Sequence, residues 1–285
     1  MTAYTTLIEP AELAAIIDRC VVVDCRHDLL QPTAGREAYL QGHIPGAVFL
    51  HQDDDLAGPR TGRNGRHPLP TREALAARLR ACGLRRGAQL VACDAHGGMY
   101  AARLWWLARW LGHEQVAVLD GGLPAWQRES LPLTSAVPTP APGDFAPGPS
   151  LTRDIDADAL LAALGGPALR VVDARAPERY RGDVEPMDPV AGHIPGALNR
   201  PFSANLRPDG RFKPAPVLRA EFEALLTQAG VGADSLVHQC GSGVTACHNL
   251  LAAAVAGLPE APLYPGSWSE WCADPARPVA RGPQP

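Results

Sequence analysis

The chain repeats itself. Val21-Val22-Val23-Asp24-Cys25-Arg26 returns as Val171-Val172-Asp173-Ala174-Arg175, and Gly42-His43-Ile44-Pro45-Gly46-Ala47 returns 150 positions later as Gly192-His193-Ile194-Pro195-Gly196-Ala197. Near the end of each half, Asp120-Gly121-Gly122-Leu123-Pro124-Ala125-Trp126 is echoed by Pro265-Gly266-Ser267-Trp268-Ser269-Glu270-Trp271. At 285 residues the chain exceeds the usual single-domain size, so two copies of one domain are the simplest account. Between the copies, Leu131 to Ser150 carries Pro132, Pro138, Pro140, Pro142, Pro147 and Pro149. Proline there excludes helix and sheet interior and favours an extended, stiff connector. The expected division is a first domain over 1–130, a linker over 131–150 and a second domain over 151–285.

Within each copy short β-branched runs alternate with helical patterns. Val21–Asp24, Ala47–Leu50, Gln89–Cys93 and Val116–Leu119 read as strands; Ala11–Arg19, Arg72–Cys82 and Met99–Leu111 read as helices. Strands buried on both faces and separated by helices imply an α/β fold, each copy a parallel sheet flanked by helices. In such sheets ligands gather beyond the carboxyl ends of the strands.

One such strand end carries chemistry. Leu236-Val237-His238-Gln239 delivers Cys240 to the turn Gly241-Ser242-Gly243, and an alanine-rich helical pattern opens at Val244-Thr245-Ala246. Glycine takes positive φ without strain, so the backbone around Ser242 can curl until successive N–H groups of Gly241, Gly243, Val244 and Thr245 face one point. The helix start adds unpaired N–H groups and partial positive charge. A cysteine thiolate, whose ordinary pKa is ~8.5, gains from that field. Most cysteines are inert core fillers, but glycine on both sides of a serine directly after a strand favours a nucleophile. Setting the copies side by side on this turn, Asp94-Ala95-His96-Gly97-Gly98 of the first faces Gln239-Cys240-Gly241-Ser242-Gly243 of the second. The first copy then has no cysteine at the turn and reads as a partner that lends side chains to the site.

Composition bounds the function. The net charge of -4 gives no footprint for nucleic acid or an anionic membrane. Positive charge is almost all arginine, Lys213 being the only lysine. Seven scattered cysteines make no disulfide framework and suit a reducing compartment. Met1 to Asp18 lacks a basic start followed by an apolar run, so no signal peptide is expected, and no stretch approaches the ~20 apolar residues of a membrane helix. A cytoplasmic protein with neither nucleic-acid nor membrane partners is the expectation. Cys240, Cys247 and His248 lack the paired spacings of a structural zinc site.

The Asp-x-Arg strand ends, the Gly-His-Ile-Pro-Gly segment in each half and a cysteine loop in the second half alone resemble the tandem-domain rhodanese family of sulfurtransferases, over essentially the whole chain. The loop Cys-Gly-Ser-Gly-Val-Thr-Ala is similar to that of its 3-mercaptopyruvate sulfurtransferase branch. The resemblance implies two rhodanese-like domains, each a five-stranded parallel sheet. It also implies a persulfide on Cys240 between half-reactions, no metal or organic cofactor, and a cyanide or thiol acceptor, small or on a thioredoxin-like protein. Ser242 would be joined by His67 and Asp53 of the first half, though Asp54 and Asp55 adjoin Asp53. Arg179 in Pro177-Glu178-Arg179-Tyr180 would take the donor's carboxylate. Arg26 and Arg175 would tie loops to acidic neighbours, and His43 and His193 would serve their turns.

Two features bear on the donor. Thiosulfate sulfurtransferases commonly carry cations just after the cysteine, where this chain has Gly241 and Ser242; mercaptopyruvate leaves as an enolate that gains from proton delivery. The mercaptopyruvate branch also has a second arginine shortly before Gly-His-Ile-Pro, whereas Gly182 to Gly192 here offers Glu185-Pro186-Met187-Asp188 and no arginine. One carboxylate clamp is therefore expected to be missing. The alternatives are a thiosulfate sulfurtransferase, a non-catalytic rhodanese binding or persulfide-relay module, and a cysteine phosphatase or arsenate-reductase-like enzyme. The last wants an arginine six positions after its nucleophile to clamp an anion, and Ala246 stands there.

Overall fold

The computed structural model describes residues 3–285 and forms two compact units. Unit 1 comprises the chain up to Gly58, Pro70–Leu151 and Leu206–Phe212; unit 2 comprises Pro59–Leu69, Thr152–Asn205 and Lys213–Pro285. Each unit thus contains a short segment of the opposite half, which a division at residue 150 does not capture. The proline-rich stretch is extended, as proline requires, yet it is seated on unit 1. The amides of Gly143, Phe145 and Gly148 donate to the carbonyls of Arg80, Leu84 and Leu111 at 2.8, 3.1 and 2.8 Å, and Phe145 is buried.

In unit 1 the elements run β1 (Leu7–Ile8), α1 (Pro10–Ile16), β2 (Cys20–Asp24), α2 (Ala34–Gln41), β3 (Val48–Phe49), α3 (Arg72–Ala81), β4 (Gln89–Cys93), α4 (Ala101–Trp110), β5 (Val116–Leu119) and α5 (Gly122–Arg128). Five parallel strands pair in the order β1-β5-β4-β2-β3. The β-branched runs form strands because both faces are covered: Ile8, Val22, Val91 and Leu119 pack with Leu13 of α1 and Trp126 of α5 on one face, while Val23, Ala92 and Val118 are fully buried on the other. Two-residue β1 lies below the length at which periodicity can be read.

Unit 2 follows the same plan with α6 (Ala157–Ala163), β6 (Arg170–Asp173), α7 (Pro177–Arg181), β7 (Leu198–Asn199), α8 (Ala215–Ala229), β8 (Leu236–Gln239), α9 (Thr245–Val255) and α10 (Ser267–Trp271). Its sheet is β7-β6-β8, not the five strands the resemblance implies. Where unit 1 has β5 and β1, unit 2 has only single parallel bridges from Leu263 to His238 and to Asp154. Pro262 and Pro265 bracket Leu263 and have no N–H to extend the ladder.

Strand register corrects the comparison of the two turns. Asp24 pairs with Cys93 in unit 1 and Asp173 with Gln239 in unit 2. The residue that leaves the strand is therefore Asp94 in one unit and Cys240 in the other, a shift of one from the sequence alignment. The loop into α4 is longer than the loop into α9, and lining up the glycines absorbed that difference at the wrong end. Among the described residues no helix is long and apolar enough to cross a membrane.

Candidate active site

Cys240 leaves the carboxyl end of β8 and is 2% exposed. Its amide donates to Ser267 Oγ at 3.1 Å, and its carbonyl accepts from the Trp268 amide at 3.0 Å. The Gly241 carbonyl accepts from the Ser269 amide at 2.9 Å. Ser267 Oγ donates in turn to the Tyr264 carbonyl at 2.9 Å, so one hydroxyl ties the Cys240 backbone to the clasp formed by 264–269. Ser267 holds φ +55°, a left-handed conformation that costs a non-glycine residue about 1–3 kcal/mol. Gly243 has φ +76°, and a Cβ there would lie 2.3 Å from the Pro265 carbonyl oxygen; conformation and contact both demand glycine. Beyond the turn, α9 is buried from Thr245 through Ala253, which anchors the loop rigidly. Cys247 is fully buried and its thiol donates to the Gly243 carbonyl at 3.2 Å, a packed residue one turn along. Burial pushes His238 of β8 down to about 3, so it stays neutral.

Ser242 Oγ lies 2.7 Å from His67 Nδ1, and both residues are buried. His67 belongs to the 59–69 segment of unit 2, which Gly65 and Arg66 dock beside the clasp. Gly65, at φ +80°, approaches so closely that a Cβ would lie 2.6 Å from the Gly266 carbonyl oxygen, and the Arg66 amide donates to Ser269 Oγ at 3.0 Å.

Asp53 belongs to unit 1, and the acidic run around it is not uniform. Asp54 is exposed, while Asp55 accepts from the His51 amide at 2.8 Å and pairs with Arg78 at 3.2 Å. Asp53 Oδ2 lies 3.8 Å from His27 Nε2. His27, His51 and Asp53 bring possible metal-ligand atoms within 4.8 Å of one another. His51, however, has both ring nitrogens engaged. Nδ1 must accept from the Asp53 and Asp54 amides at 3.3 Å each, which leaves Nε2–H to donate to the Pro32 carbonyl at 2.9 Å. The structure thus brings Cys240, Ser242, His67 and Arg179 together in unit 2 and holds Asp53 in unit 1.

Two arginines flank the Cys240 loop. A Cβ on Gly241 would lie 2.8 Å from Arg66 Nη2 and 3.4 Å from Arg179 Nη1. Arg66 is ion-paired through Nη1 with Asp188; Arg179 reaches Glu185 at 2.6 Å and Asp188 at 3.5 Å through Nη2. Burial lifts the Asp188 carboxyl above its ordinary value, although Arg66 opposes the shift. Arg175 is fixed by Asp173 at 2.7 Å and Glu185 at 3.2 Å, and Arg26 by Asp24 at 2.7 Å, both in the loop-tying role expected of them. His43 and His193 reach the carbonyls of Tyr39 and Tyr180 at 2.7 and 2.8 Å, so each ties its turn to a preceding helix, α2 and α7.

Gly241 and Ser242 therefore do not leave the Cys240 loop without cations, as the loop sequence alone suggests; the fold supplies guanidinium groups from elsewhere in the chain. Arg66 escaped the sequence reading because only its adjacency to His67 marked it. Ser267 escaped as well, although the echo pairs it with Gly122 and so offered a signal.

The rhodanese-like domain family profile matches residues 9–129 and 156–274. A Pseudomonas aeruginosa protein named "Probable 3-mercaptopyruvate sulfurtransferase" is 50% identical over 280 residues, covering 97% of this chain and 98% of that one. The thiosulfate sulfurtransferase of Bos taurus is 36% identical over 245 residues, covering 83% and 79%. Among solved structures, the 3-mercaptopyruvate sulfotransferase SseA of Escherichia coli superposes with a TM-score of 0.79 at 32% identity, over 93% of this chain and 99% of that one.

Proposed function

Since the chain belongs to the rhodanese family, with one rhodanese-like domain matched in each half, we propose that it is a sulfurtransferase that takes sulfur from 3-mercaptopyruvate onto Cys240. The observation that carries the donor is the 2.7 Å contact between Ser242 Oγ and His67 Nδ1 beside the nucleophile loop. The Cys240 thiolate attacks the thiol sulfur of the donor; the S–S bond forms, the C–S bond breaks and its electron pair leaves as pyruvate enolate. Ser242, backed by His67, passes the enolate carbon the proton that makes pyruvate. The persulfide lies among the loop amides of Gly241, Gly243, Val244 and Thr245, which hold anionic sulfur without reorganisation. In the second half-reaction cyanide or a thiolate attacks the outer sulfur, leaves as thiocyanate or a new persulfide, and returns the Cys240 thiolate. Thioredoxin-like proteins and small thiols are the acceptors of choice, in a cytoplasmic setting.

Thiosulfate is the second reading, favoured by the Arg66 and Arg179 guanidinium groups over Gly241. Its sulfite leaving group needs no proton, and two cations suit a dianion. Intact mass after incubation with each donor separates the readings: a gain of one sulfur atom from mercaptopyruvate at the higher kcat/KM is expected, and Cys240→Ser should gain none while folding normally. A thiosulfate kcat/KM tenfold higher than that for mercaptopyruvate would overturn the donor assignment. Sulfur uptake by Cys240→Ser would overturn the nucleophile.

A further inference from the structure

We propose that Arg66 is the second donor-binding arginine of this site, sharing the carboxylate of a 2-oxo-3-mercapto acid with Arg179. The inference rests on the sulfurtransferase reading above and adds a residue that the loop before Gly192 does not supply. Four observations within unit 2 carry it. Arg66 Nη2 and Arg179 Nη1 are the guanidinium atoms facing the missing Cβ of Gly241, the residue directly after the nucleophile. Neither atom donates to any described residue, whereas the other contacts of both groups run to Glu185 and Asp188; Arg179 Nη2, which makes two of them, lies 3.6 Å from the same Cβ position. Arg66 Nε is buried and has no acceptor among the described residues, a donor left unmatched in a cation that is mostly buried. Finally, Asp188 and Glu185 orient the two guanidinium planes while leaving those Nη groups unengaged, the arrangement expected of a preorganised anion clamp.

Met187 stands in the loop that carries Glu185 and Asp188. Its place in sequence suits a second arginine, but Arg66 approaches Gly241 from the 59–69 segment. A carboxylate set against Gly241 would gain a charge-assisted donor from each arginine. Its carbon chain would then run toward the Cys240 turn, where the leaving enolate meets Ser242.

Steady-state kinetics on the full chain test this, with Arg66→Gln, Arg66→Lys and Arg66→Gln/Met187→Arg. Loss of one charge-assisted donor pair should raise the KM for mercaptopyruvate tenfold or more in Arg66→Gln while kcat stays within about threefold. Arg66→Lys keeps the charge but not the fork and should fall between, and Met187→Arg should recover part of the lost affinity. Cys240 alkylation supplies a control independent of sulfur transfer: Arg66→Gln should slow reaction with iodoacetate at least fivefold and leave iodoacetamide unaffected. An unchanged KM, or equal slowing of both alkylating agents, would overturn the assignment and leave Arg66 as a packing residue. If Arg66→Gln melts below the assay temperature, Arg66→Lys must show the same split at smaller size or the proposal fails. A wild-type protein that takes sulfur from neither donor would sink the functional reading, whatever the alkylation ratio shows.

Discussion

The turn after β4 and the turn after β8 occupy the same place in the two units, and they handle charge in opposite ways. In unit 1 the residue that leaves the strand is Asp94. Its Oδ1 accepts from the amides of His96 and Gly98 at 2.8 and 3.0 Å, and its Oδ2 from those of Tyr100 and Ala101 at 2.8 and 2.9 Å. In unit 2 the corresponding residue is Cys240. In the first copy, then, four amides converge on this point and the chain's own carboxylate fills it. The proposed role of Cys240 asks for an anion in that place too, one that takes up a sulfur atom and gives it back.

The clasps behind the turns differ in the same sense. Gly122 and Ser267 both adopt positive φ, +58° and +55°, and the amides that follow them donate to the Asp94 and Cys240 carbonyls at 2.8 and 3.0 Å. Glycine bears that conformation freely; serine is strained, but its hydroxyl fixes the Cys240 amide. At the clasp itself, then, the first copy uses the residue that bears the conformation freely, while the second accepts a strained serine whose hydroxyl holds the Cys240 amide.

Four measurements can break or sharpen that contrast. The largest expected effect is on stability. Asp94→Ala strips four amides of their acceptor, each such bond to a charged group being worth about 1.5–3 kcal/mol. Unit 1 should lose about 4 kcal/mol or more in chemical denaturation, with some of the loss recovered in Asp94→Asn; a loss under 1 kcal/mol would show the cradle to be incidental.

Next in size, Ser242→Ala and His67→Gln should each lower kcat with mercaptopyruvate about 100-fold, the usual return on a positioned proton donor. Turnover with thiosulfate should move less than fivefold. Equal losses with both donors would reduce the Ser242–His67 pair to a structural contact.

The clasps can be compared through pH. Burial pushes the Asp120 carboxyl, at the start of the unit 1 clasp, up to about 6, although the Phe212 amide donates to it at 2.8 Å and pulls the other way. Because the folded value lies above the unfolded one, ionised Asp120 weakens the fold above pH ~6, and the penalty disappears below pH ~4. Asp120→Asn, which keeps the acceptor for Phe212, should stabilise the protein by about 2 kcal/mol at pH 7.5 and by nothing near pH 4. A gain that does not depend on pH would assign the effect to something other than ionisation.

The smallest expected effect separates strain from positioning. Ser267→Gly relieves the left-handed conformation but loses the hydroxyl, so melting temperature should barely move while kcat/KM drops about tenfold. Ser267→Ala keeps the strain without the bond and should be the less stable of the two. Full activity in Ser267→Gly would mean that Cys240 needs no clasp beyond the one Asp94 has.

The sequence by itself determined whatever is written locally. The shared Gly-His-Ile-Pro-Gly segments declared the duplication, the β-branched runs declared β2, β4 and β5 nearly to the residue, and the glycines around Ser242 marked Cys240, because turn geometry and strand burial depend on residues a few positions apart. Arg179 was singled out by a short motif, Pro177-Glu178-Arg179-Tyr180-Arg181-Gly182, whose first five residues form α7. Only the tertiary structure decided what depends on distance along the chain. Arg66 meets Asp188 and Gly241, more than a hundred residues away, and no periodicity announces such a contact. Asp94 was recognised as the counterpart of Cys240 through strand pairing, since loops of unequal length hide the register that hydrogen bonds impose. Segments 59–69 and 206–212 belong to the units of the opposite halves for the same reason. Chain order records which residues are covalent neighbours, and the chemistry of this site depends on which ones the packed fold brings within a few ångströms.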